Sequence, residues 1–126
     1  MGHITGIGGV FFKAKDVKAL RAWYRDVLGI DIQDWGGAAL ATDAPGHPPV
    51  AVLGLFAHDS KYFDPSTRDV MINFGVDDMD AMLKRVEDKG VKVLGRDDTS
   101  DPSGRFAWIM DPEGTKIEFW QPKKGE

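Results

Sequence analysis

Residues 104–122 hold two largely apolar runs that divide with the period of two that gives a β-strand two distinct faces. Phe106, Trp108 and Met110 share one parity, and Ala107 and Ile109 the other. Lys116, Glu118 and Trp120 alternate in the same way with Ile117 and Phe119. Between the two runs stands Asp111-Pro112-Glu113-Gly114, where proline fixes φ and glycine relieves the last turn position, so the segment reads as a hairpin. Glu118 breaks the apolar logic of its strand. A carboxylate there needs solvent, a cation or a ligand, because burying it alone is costly.

The rest of the chain follows one grammar twice. Residues 7–13 read as a strand, weakened by Gly8-Gly9. Asp16 caps a helix whose buried stripe is Val17, Leu20, Tyr24, Val27 and Leu28, and Gly29 ends it. Strands are expected at 30–35 and 38–42 about the Gly36-Gly37 turn, then a Pro/Gly-rich loop at 43–49 and a fourth strand at 50–56. After a polar connector at 57–68 the pattern returns. A strand at 69–76 leads to a helix capped by Asp77 or Asp78, with Met79, Met82, Leu83 and Val86 as its buried stripe and Gly90 as its stop. A strand at 91–95, a loop at 96–103 and the hairpin complete it.

Two βαβββ modules offset by about 62 residues are therefore expected, an internal duplication within a single domain, residues 1–126. Module 1 spans about 5–57 and module 2 about 69–122. The fold class is α+β: two modules join into a cup-shaped mixed sheet, with the helices on its outer face and a small-molecule site inside. The connector is long enough to let modules pair within one chain or between two, and a homodimer is the expected assembly.

Composition narrows the partners. There is no cysteine, so disulfides, thiolate metal sites and cysteine nucleophiles are excluded. The net charge of −4 and the lack of a basic stripe argue against nucleic acid. No apolar run is long enough to span a bilayer, and MGHITGIGG lacks the pattern of a signal peptide. The cytoplasm is the expected location, with a small molecule as the partner.

Three segments, FFKAKDVKALRAWYRDVLG, NFGVDDMDAMLKRVEDKGVKV and DPEGTKIEFW, together resemble the vicinal oxygen chelate superfamily, which includes glyoxalase I, extradiol dioxygenases and bleomycin-resistance proteins. Metal-using members place His or Glu ligands on the first and last strand of each module. By that resemblance the four positions fall here on Gly9, on or near Gly54, on Met71 and on Glu118. Three of the four are not ligands for a divalent ion, so no metal or other cofactor is expected, a divalent metal being the alternative. His3, His47 and His58 read as exposed loop residues.

The expected cup is then lined by Phe11, Val52, Phe56, Met71, Asn73, Phe106, Trp108, Glu118 and Trp120, an aromatic pocket with two polar handles. Buried without a cation, Glu118 is expected to be protonated and to donate to a ligand oxygen. Tyr62-Phe63 in the connector would act as a lid or simply pin it to the body. The resemblance implies a metal-independent small-molecule binder of the bleomycin-resistance kind, with an apolar or aromatic ligand. The alternatives are a glyoxalase-like lyase or isomerase using Glu118 as general base and an interaction domain without a ligand.

Overall fold

The computed structural model describes residues 2–123. Its elements are α1 (Val17–Asp26), β1 (Met71–Gly75), α2 (Met79–Asp88), β2 (Gly95–Asp97), β3 (Gly104–Met110) and β4 (Lys116–Pro122). The four strands form one mixed sheet in the order β1-β4-β3-β2. β1 runs parallel to β4, and the β4–β3 and β3–β2 pairs are antiparallel. With two helices and this sheet the protein is α+β, as its sequence implies.

Both helices start where their acidic caps predict. The Asp16 carboxylate accepts from Ala19 N at 3.1 Å and that of Asp78 from Ala81 N at 3.0 Å, each satisfying an amide that has no partner inside the helix. Beyond α2 the chain turns through Gly90 at φ +83°, a conformation that residues with a Cβ rarely adopt. Leu20, Tyr24, Val27 and Leu28 of the first helical segment join Met79, Leu83 and Val86 of α2 in a single core. That core is completed by Ala107, Ile109, Ile117 and Phe119, the odd-numbered residues of the hairpin strands. Both helices therefore cover the same face of the sheet. Fully burying side chains such as Ile109, Ile117 and Phe119 stabilises the fold by about 1.5–3 kcal/mol each.

The 111–115 turn ties α1 to this sheet. Asp111 is buried; its Oδ1 accepts from the amides of Glu113 and Thr115, both at 2.9 Å, and its Oδ2 accepts from the Tyr24 hydroxyl at 2.8 Å. Burial, and then that hydrogen bond to Asp111, hold the Tyr24 hydroxyl well above the ordinary tyrosine pKa. Glu113 reaches the start of α1, where its carboxylate accepts from Lys15 N at 2.8 Å and Asp16 N at 2.9 Å.

The first half of the chain departs from expectation. Among the described residues, the only strands are the four above, so 7–13, 30–35, 38–42 and 50–56 form no ladder within one chain. Of the hairpin expected at Gly36-Gly37 there remains a tight turn, with Gln33 N donating to Gly37 O at 2.8 Å and Gly36 at φ +101°. The loop at 43–49 does reach the sheet: a Cβ on Gly75 would lie 2.5 Å from Pro48 Cδ, so this close approach requires glycine. The physical reason for the missing ladders is that period-two alternation specifies a strand's two faces but not the edge it pairs with. The helices are local structures and form regardless.

The consequence is surface. A folded chain of this mass exposes about 6,700 Å² by the usual scaling, whereas this chain exposes 9161 Å². Much of the exposed apolar surface lies in the first half, where Phe11 is 91% exposed, Leu55 90%, Leu53 76% and Val52 67%.

The Glu113 contact yields a pH prediction. The amides of Asp16 and Lys15 hold its carboxyl below the ordinary glutamate pKa. A depressed folded-state pKa adds stability that is fully present above the unfolded value and is lost as pH falls through the folded one. Glu113→Gln should therefore lower the urea midpoint at pH 7. It should also shrink the difference between midpoints measured at about pH 7 and about pH 3, relative to the parent protein. Equal loss at both pH values would show that Glu113 acts through packing rather than charge.

Candidate functional site

The parity that sends odd-numbered hairpin residues into the core sends the even-numbered ones to the opposite face. There the register aligns Asn73, Glu118 and Trp108 across three strands, with Met71, Lys116 and Met110 in one flanking row and Gly75, Trp120 and Phe106 in the other. Six of the nine residues expected to line the cup thus share one face: Met71, Asn73, Phe106, Trp108, Glu118 and Trp120. Phe106 and Trp120 stack nearly parallel, at 8° and 6.0 Å between centroids.

The other three expected residues lie outside the sheet. Phe56 joins through the connector, stacked on Tyr62 at 5.5 Å and 16°, with Phe63 against it at 5.1 Å. Phe11 is not brought to the site within this chain; it stands in a segment without ladder partners and is exposed. Val52 is exposed in the same way. His3, His47 and His58 are all exposed, as expected.

Glu118 is buried, and three side-chain donors meet its carboxylate. Oε1 accepts from Asn73 Nδ2 at 2.8 Å. Oε2 accepts from Trp108 Nε1 at 2.7 Å and from the Tyr62 hydroxyl by a short bond. The indole N–H can only donate, so Glu118 serves here as an acceptor. The expected protonated donor role is not the one the geometry uses. Burial, and then the Glu118 carboxylate, push the Tyr62 hydroxyl well above the ordinary tyrosine pKa.

Lys116 is the residue that sequence reasoning left out of this face. It is buried, its ammonium donates to Tyr62 O at 2.6 Å, and it lies 5.1 Å from the Tyr62 ring centroid and 5.6 Å from that of Trp108. Burial lowers its pKa, while the charges of Glu118 and Asp64 push back upward. Its shared parity with Glu118 and Trp120 was the available signal.

The connector covers this floor from two anchored points. Ser66 Oγ donates to Gly114 O, and Arg68 Nη1 donates to Thr115 Oγ1 at 3.0 Å, so its C-terminal end is tied to the hairpin turn. Further along, Tyr62 engages Glu118 and Lys116 as described. The connector is thus more than a spacer: it supplies one of the three donors to the central carboxylate.

This donor set does not fit a divalent metal. Gly9 and Gly54 offer no side chain, Met71 offers a thioether, and both oxygens of Glu118 already accept protein hydrogen bonds. Among the described residues, no three His, Cys, Asp or Glu side chains are grouped where they could hold an ion.

Solved structures share the fold at low identity. An antibiotic-binding protein, TnmS3 from Streptomyces sp. CB03234, aligns with a TM-score of 0.58 and 23% identity, covering 96% of this chain and all of that one, 100%. A lactoylglutathione lyase from Agrobacterium tumefaciens aligns with a TM-score of 0.53 and 20% identity over 93% of each chain. A search of curated proteins gives no match. The model of the glyoxalase-like domain matches residues 9–120, nearly the whole chain, and the chain belongs to that family.

Proposed function

We propose that the protein binds an apolar or aromatic small molecule on the sheet face opposite the helices, without a metal, and does so as a homodimer. The observation that carries this reading is the face itself. It sets an Asn73–Glu118–Trp108 hydrogen-bonded centre among Met71, Phe106 and Trp120, on the side of the sheet away from the helices. Aromatic surface around a few fixed polar groups is the usual make-up of a small-molecule site. The antibiotic-binding description of a structural relative supports the same direction.

The lyase or isomerase reading is weaker on the same geometry. A general base needs a lone pair aimed at a substrate proton, and three of the acceptor sites of the Glu118 carboxylate are already taken by protein donors. Oxyanion stabilisation would also have to come without a metal, and Asn73 already donates to Glu118.

The dimer rests on area. The surface in excess of a folded chain of this size is about 2,500 Å², within the range of obligate interfaces. Unpaired extended segments rich in exposed apolar side chains, including Leu53, Leu55 and Phe11, supply the surface a second copy would cover. No helix among the described residues is long and apolar enough to cross a membrane.

Binding of bicyclic aromatic alcohols or ketones should quench tryptophan fluorescence. Trp108→Ala should weaken that binding at least about tenfold, because it removes both the wall and a donor to Glu118. Glu118→Gln should weaken it by no more than about threefold, since an amide oxygen still accepts. A panel that leaves the fluorescence and the melting temperature unchanged would refute the binding reading.

Protein purified without chelator should carry far less than one equivalent of Ni, Zn, Fe or Mn by plasma mass spectrometry. Stoichiometric metal that survives dialysis and disappears in Glu118→Ala would refute metal independence. Sedimentation at micromolar concentration should show a species of about 28 kDa, twice the chain mass of 13.9 kDa. A single species of chain mass would refute the dimer.

A further inference from the structure

We infer that the floor around Glu118 selects ligands bearing an aromatic hydroxyl, and that Tyr62 is the internal competitor such a ligand must displace. This deepens the small-molecule reading above and rests on it. The chain supplies its own probe of what the floor holds. The Tyr62 side chain is a phenol on a tether, and every part of it is recognised. Its hydroxyl donates to Glu118 Oε2, beside the Trp108 N–H that fixes the same oxygen. Its ring stacks on Phe56 at 5.5 Å, meets the edge of Trp108 at 6.4 Å and 88°, and has the Lys116 ammonium 5.1 Å from its centroid.

The holding groups and the held group differ in how firmly they are placed. Glu118, Trp108 and Lys116 sit at paired positions of β3 and β4, where the register fixes them. Tyr62 sits on the connector and is 41% exposed. The connector is secured independently at Ser66 and Arg68, and Lys116 holds the Tyr62 carbonyl, so the Tyr62 side chain can swing off Glu118 while the backbone around it stays bonded. A free ligand that presents an O–H to Oε2 and a flat ring to Trp108 and Lys116 repeats these contacts. A ligand with the same ring and no donor leaves Oε2 short of a partner once Tyr62 has gone, which a buried carboxylate resists.

Competition of this kind reduces apparent affinity by the fraction of molecules in which the site is free. Removing the competitor therefore tightens binding, the opposite of what removing a wall does. The experiment measures 2-naphthol and 2-methoxynaphthalene by calorimetry against the parent protein, Tyr62→Phe, Tyr62→Ala and Glu118→Met. Tyr62→Phe is nearly isosteric and guards against a folding defect in Tyr62→Ala.

The expected result is that both Tyr62 variants bind 2-naphthol at least about tenfold more tightly than the parent, while 2-methoxynaphthalene gains markedly less. In Glu118→Met the two compounds should bind alike. Unchanged or weaker 2-naphthol binding in both Tyr62 variants would overturn the inference, making Tyr62 a wall. Equal gains for both compounds would overturn hydroxyl selection and leave the small-molecule site intact. Binding of neither compound to any of the proteins would instead sink the small-molecule reading on which the inference rests.

Discussion

The interaction on which the rest of this structure depends is the set of hydrogen bonds made by the 111–115 turn. Asp111 organises the turn internally through two amides and reaches out to Tyr24, which fixes α1 against the sheet. Glu113 completes the start of the same helix. Gly114 and Thr115 accept from the connector, which fixes where Tyr62 can reach. One tight turn between two strands thereby positions a helix on one face of the sheet and a strap on the other. Local chemistry in five residues sets the relation between elements about 90 residues apart in sequence.

Glu118 is the second dependency, and it illustrates how burial of a charge is managed without a cation. A carboxylate withdrawn from water regains its solvation only through hydrogen bonds, and here three side chains from three different segments provide them. Lys116 on the same face adds a positive charge within the same environment, although its direct bond is to the Tyr62 carbonyl rather than to Glu118. The polar centre is self-consistent, which explains how it sits among aromatic rings.

Much of this was legible in the sequence because it is local. The Asp16 and Asp78 caps, the glycine at the end of α2 and the alternation of the hairpin are all set by neighbouring residues, and the structure places each as read. Parity put Glu118, Trp108 and Trp120 on one face, and the family resemblance set the strand of Asn73 beside theirs. What could not be read was pairing over distance. Segments such as 50–56 have a strand's alternation, yet nothing in Val52 or Leu55 names the edge they would join. The role of Tyr62 was hidden for a related reason: whether a connector aromatic bonds a buried carboxylate depends on where the loop is anchored, and those anchors are a serine and an arginine with no distinctive pattern. Lys116 was passed over because a lysine is ordinarily expected at the surface.

The division of the sheet by parity has a consequence for how such proteins diverge. In β3 and β4 core and site are written on the same strands but in different letters, odd positions for packing and even positions for recognition. A substitution at 106, 108, 118 or 120 can change what is recognised while Ala107, Ile109, Ile117 and Phe119 keep the interior unaltered. A single-residue insertion in either strand would exchange the two sets and forfeit both. Inheritance through this fold should therefore favour replacement over insertion in the strands, with length changes confined to the connector and loops. One scaffold can then pass between very different ligands without first becoming unstable.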